Sequence, residues 1–78
     1  MIKWLMRRLK GTITVDELEK SGKAKQWDEY VVLTANPFFT KGTVISVHNI
    51  AEFGTILFVQ NQGAYSLLDD VELKKWNG

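Results

Sequence analysis

From Glu29 onward, apolar and polar positions alternate with a period of two, and the apolar ones are mostly β-branched or aromatic. That is the pattern of strands with one face buried. Five segments carry it: EYVVLTA (29–35), TVISVHN (43–49), TILFVQ (55–60), AYSLL (64–68) and ELKKW (72–76). Between them lie NPFFTKG, a loop of moderate length, the shorter IAEFG, the tight connection NQG, whose Gly63 tolerates positive φ, and DDV, read as a single helical turn. Connections this short join antiparallel strands, because a parallel pair needs a crossover of about a dozen residues or more. Upstream the period changes. In MIKWLMRRLK, a 3.6-residue repeat places Ile2, Leu5, Met6 and Leu9 on one stripe, with Lys3, Trp4, Arg7, Arg8 and Lys10 around the rest. This predicts a short basic amphipathic helix stopped at Gly11. Next, Thr14 and Glu17 stand in capping-box spacing and Gly22 closes the run, which predicts a second helix over Val15 to Ser21.

Together these elements predict an α+β fold that is mainly β. It is a five-stranded antiparallel sheet over residues 27–78, curled into a barrel to hide its edges, with two short helices in a basic extension over residues 1–26 that packs on the barrel. The order of strands, loops and closing turn, with KGTVISV followed by ILFVQNQGAYSLLDDVEL, resembles the SH3-like small barrel. That superfold includes nucleic-acid-associated KOW-type domains and many small phage and prophage proteins. The resemblance spans roughly residues 28–76 and implies a fold, since so many unrelated activities share it.

Composition narrows the function classes. The 78 residues make one domain, with too little chain for both a core and a large cleft. There is no cysteine, hence no disulfide framework or thiolate nucleophile, and the single His48 excludes a multi-histidine metal site. No cofactor is expected. No apolar run approaches the roughly 20 residues of a membrane span, and a cytoplasmic location is the expectation. Asp69, Asp70 and Glu72 follow one another around a turn, Asp28 and Glu29 sit at a strand entry, and Ser46 and Ser66 have no histidine in a readable arrangement. None of these reads as a converging acid–base site, so the expectation is a protein that is not an enzyme.

Charge is distributed unevenly. Up to Gln26 there are seven Lys/Arg and three Asp/Glu (+4), and after it three and six (−3), giving the net +1. Lys3, Arg7, Arg8 and Lys10 are therefore candidate phosphate contacts, and a nucleic-acid-binding KOW-type barrel is one functional expectation. The other rests on aromatic residues. Phe38 and Phe39 are adjacent, so in an extended segment one faces in and the other out. In an SH3-like arrangement the loops after the first and second strands project side by side, which would gather Phe38, Phe39, Lys41, Phe53 and Tyr30, with Trp76 nearby, into a protein-binding patch. Aromatic residues in such a patch supply rigid anchors for affinity. A non-enzymatic binding module, of the kind a phage or mobile element uses to modulate a host factor, is the leading expectation.

Overall fold

The computed structural model describes residues 11–61 and 63–77. The predicted first helix lies outside them. The chain runs β1 (Thr12–Thr14), α1 (Val15–Ser21), β2 (Glu29–Val32), β3 (Val44–Ile50), β4 (Ile56–Gln60), β5 (Gly63–Tyr65) and β6 (Glu72–Lys75). The six strands form one sheet in the order β1-β6-β2-β3-β4-β5, with every pairing antiparallel.

Two features differ from the expected five-stranded barrel. The TIT segment after Gly11 is a sixth strand: its ladder sets Thr12 opposite Lys74, Ile13 opposite Leu73 and Thr14 opposite Glu72. And the sheet is open: among the described residues β1 and β5 are its two edges and no ladder joins them. The strand expected over residues 64–68 ends at Tyr65, after which Leu67 turns into the core and Leu68–Val71 form a turn closed by Val71 N–H on the Leu68 carbonyl at 3.2 Å. The segment 29–35 stops pairing at Val32, although Leu33 N–H still reaches the Glu72 carbonyl and Thr34 Oγ1 accepts from Glu72 N–H.

Helix α1 has the predicted limits, and its capping explains them. Thr14 is both the last residue of β1 and the N-cap, with ψ 161°, a conformation that serves strand and cap alike. Its Oγ1 accepts from Glu17 N–H at 3.1 Å, while Glu17 Oε1 accepts from Thr14 N–H at 3.0 Å. At the other end Gly22 takes the left-handed conformation (φ 68°) of a helix stop. Helix start and sheet are joined directly: Val15 N–H and Asp16 N–H donate to the Val71 and Asp69 carbonyls, and Glu19 Oε2 accepts from Ile56 N–H at the head of β4.

Alternate strand positions build the core: Tyr30 and Val32 from β2, Ile45 and Val47 from β3, Ile56 and Phe58 from β4, and Leu73 from β6. Val15 and Leu18 of α1 cover them, and Phe39, Leu67 and Val71 enter from connections. A bulge at His48 shifts the β3–β4 register between Val47 and Asn49, ending the regular alternation of β3. Among the described residues, no helix is long and apolar enough to cross a membrane.

Candidate functional site

The loop between β2 and β3 is held by its own side chains. Asn36 Oδ1 accepts from both Phe38 N–H (2.9 Å) and Phe39 N–H (3.1 Å), and Asn36 Nδ2 donates to the Thr34 carbonyl. An Asx turn of this kind, with Pro37 inside it, fixes the backbone beneath both rings. On the return, Gly42 adopts φ 92° and donates to the Val32 carbonyl at 2.7 Å, while the Thr40 and Thr43 hydroxyls lie 2.8 Å apart in a hydrogen bond.

The two phenylalanines divide as the sequence predicts. Phe39 is buried, 5% exposed, and Phe38 keeps 38% of its surface in solvent. Both rest on Tyr65 of edge strand β5, itself 37% exposed. Phe38 stacks on it with ring centroids 5.1 Å apart at 26°, and Phe39 meets it edge-on at 5.6 Å and 75°. The Tyr65 ring lies over Gly63, where a Cβ would come within 3.0 Å of the phenol oxygen and 3.2 Å of ring carbons. Gly63 therefore does more than permit the hairpin: its bare backbone gives the ring its seat. Beside the rings, a depression of about 220 Å³ is lined by Phe38, Phe39, Thr40, Thr43 and Gln60.

The other residues expected in the patch lie elsewhere, apart from Lys41, which is exposed in the turn of this same loop. Phe53 is 94% exposed, but it sits in the β3–β4 loop, at the opposite end of β3 from Phe38. Seven residues of strand separate the two loops by roughly 20 Å. In an antiparallel meander successive turns alternate ends, so the loop that shares an end with Phe38 is the β4–β5 hairpin, which supplies Tyr65 and Gln60. Tyr30 is buried in the core. Lys75 Nζ lies 5.4 Å from its ring centroid and 3.4 Å from Asp28 Oδ1, and burial, then the Asp28 charge, raises the Tyr30 phenol above its ordinary value. Lys3, Arg7, Arg8 and Lys10 lie outside the described residues.

Sequence reading passed over a second aromatic contact. Exposed Trp27 meets His48 edge-on at 5.8 Å. Trp27 holds a positive φ of 73°, uncommon for a bulky residue. Its N–H on the Val47 carbonyl (2.7 Å) and the Lys25–Asp28 turn around it keep it there. Among the described residues no three His, Asp or Glu side chains converge as metal ligands would.

No family model, no curated protein and no solved structure matches this chain.

Proposed function

We propose that the protein is a non-enzymatic protein-binding module of SH3-like architecture, docking partners on the Phe38–Tyr65 aromatic pair with Lys41 at its rim. The strand order supports the architectural part. β2, β3, β4 and β5 form a meander, and β6 returns to pair with β2, which is the connectivity of an SH3-like sheet even though β1 has been added and the ends are not paired. Barrel-like curvature and the two-helix extension over residues 1–26 belong to the same proposal.

The observation that carries the functional part is a preorganised, half-exposed aromatic stack on an edge strand. Asn36 fixes the loop under Phe38, Phe39 buttresses the stack from the core, and Gly63 seats Tyr65, so little ordering entropy remains to be lost on binding. Among the described residues β5 has no pairing partner on its outer side, and an extended peptide can add there while its side chains meet the rings. Stacked rings also bind bases, but here each ring already spends one face on the other, which favours a protein partner over nucleic acid held by Lys3, Arg7, Arg8 and Lys10.

The test is affinity capture by the tagged full chain from a native lysate, with and without nuclease, at low and physiological salt. The expected result is a protein retained after nuclease treatment, with little salt dependence, whose affinity falls roughly thirtyfold on Phe38→Ala, the scale of a 2 kcal/mol hot spot. Capture that vanishes with nuclease and weakens steeply with salt would replace this reading with the nucleic-acid one.

A further inference from the structure

A groove of about 420 Å³ opens on a different face, where β1 and α1 meet the ends of β2 and β6. Ile13, Leu18 and Tyr30 form its apolar walls, and Lys23 and Lys75 stand at its rim. Its volume lies within the range of roughly 300–1,000 Å³ that holds a drug-sized apolar ligand. The polar groups around it select the charge of that ligand. Tyr30 is 6% exposed, and no described residue hydrogen-bonds its hydroxyl. Among the described residues no side-chain oxygen or nitrogen is both sealed from solvent and without a partner, so the hydroxyl reaches solvent, and the groove is the opening that Tyr30 lines. Lys75 Nζ lies 5.4 Å from the centroid of the same ring and 3.4 Å from Asp28 Oδ1, while Asp28 Oδ2 accepts from Lys25 N–H at 3.0 Å. A held carboxylate thus steadies the ammonium over the ring and occupies only part of its three-donor capacity. Lys23 Nζ has no ion-pair partner among the described residues, and Ser21 Oγ accepts from Lys23 N–H at 3.1 Å, fixing the backbone that carries it.

We propose that this groove binds a small apolar carboxylate, with its ring or short hydrocarbon chain against Ile13, Leu18 and Tyr30 and its carboxylate at the rim, accepting from Tyr30 Oη and from the Lys23 and Lys75 ammonium groups. Charge favours an anion: Asp28 offsets Lys75, which leaves the Lys23 charge uncompensated at the rim. A carboxylate has acceptor sites for all three donors at once, and its bonds to the ammonium groups are charge-assisted, about twice as strong as neutral ones. Burial of the hydrocarbon supplies affinity, and the rim distinguishes an acid from its neutral analogue. Because the rim lysines are solvated, that distinction shrinks as salt is raised. A bounded concavity of this size suits a free small molecule, whose whole apolar body it can take, better than a folded partner. The groove is separate from the Phe38–Tyr65 patch, and the proposal stands or falls independently of it.

Titration of the isotope-labelled full chain with 2-naphthoate, followed by nuclear magnetic resonance, tests it against 2-naphthylmethanol, the neutral analogue of the same shape. Saturable shifts are expected at Ile13, Leu18, Ser21 and the Tyr30 ring, with the alcohol binding roughly tenfold more weakly. Lys23→Gln should remove most of the difference between acid and alcohol while leaving the fold intact, since this side chain makes no ion pair to lose. Tyr30→Phe, which keeps the ring in the wall, should weaken the acid severalfold. Equal binding of acid and alcohol by the unsubstituted protein would overturn the proposal, whether or not the variants fold. So would shifts that never saturate or that fall on Phe38 and Tyr65 instead. A third probe, acetyl-Leu-Phe with a free carboxylate, should bind no better than naphthoate; tighter binding would assign the groove to the end of a peptide chain and refute the small-molecule reading.

Discussion

Replacing Phe38 and Phe39 separately by alanine separates core from surface within two adjacent residues. Phe39 is 5% exposed and joins the buried cluster, so its truncation removes a full ring and leaves a cavity, at ~3–5 kcal/mol. Phe38 keeps 38% of its surface in water. Its truncation withdraws roughly three-fifths of a full burial worth ~1.5–3 kcal/mol, or ~1–2 kcal/mol, and part of an aromatic pairing term of ~0.5–1.5 kcal/mol. A chain of this length has about 4–12 kcal/mol in all, so Phe39→Ala brings it near unfolding while Phe38→Ala leaves a folded domain. The gap between the two is about 2 kcal/mol, or roughly 8–16 °C in Tm at this size. Urea denaturation followed by tryptophan fluorescence measures both, and a double-mutant cycle of Phe38→Ala with Tyr65→Ala should give a coupling of ~0.5 kcal/mol or more. Equal losses at the two positions, or no coupling to Tyr65, would show that the stack is not the ordered surface feature described above.

Two further outcomes are expected. Glu19→Ala strips the acceptor from Ile56 N–H, on a residue only 1% exposed, and should cost ~1–3 kcal/mol, most of it recovered in Glu19→Gln, which keeps an acceptor oxygen; chemical denaturation of both variants checks this. The raised Tyr30 phenol means that the folded state holds its proton longer than the unfolded chain, so the stabilisation is fully present below the ordinary value of 10.0 and is lost as pH rises from there through the folded value; denaturant midpoints between pH 8 and 11 should fall more steeply in the native sequence than in Tyr30→Phe.

Elements whose information is local were readable from the chain. The Thr14/Glu17 box and Gly22 define α1 to the residue, and the period-two, β-branched and aromatic pattern gives β3, β4 and β6 to within a residue or so. What failed was non-local. TIT is too short to show a period, and becomes a strand only because β6 presents an unpaired edge to it. The split between Phe38 and Phe39 was legible, but their neighbour was not. Grouping Phe53 with them overlooked the alternation of turn ends in a meander, which would have pointed to the β4–β5 hairpin. Tyr30 was misplaced because a tyrosine on an inward strand position reads equally as core or as rim.

The β1–β6 ladder has a mechanical consequence. Thr12 lies opposite Lys74 and Thr14 opposite Glu72, so the chain enters β1 and leaves β6 at the same end of an antiparallel pair. Tension applied between the segments flanking the sheet would therefore open this ladder like a zipper, one rung after another, instead of shearing all its hydrogen bonds at once. β1 has only three residues and would peel off first, carrying the Thr14 cap of α1 with it and exposing Val15 and Leu18. A machine that pulls on either end, such as an unfoldase feeding a protease, would meet little resistance here, whereas the β3–β4 hairpin, buried in the middle of the sheet and away from both points of load, would be the last part to yield.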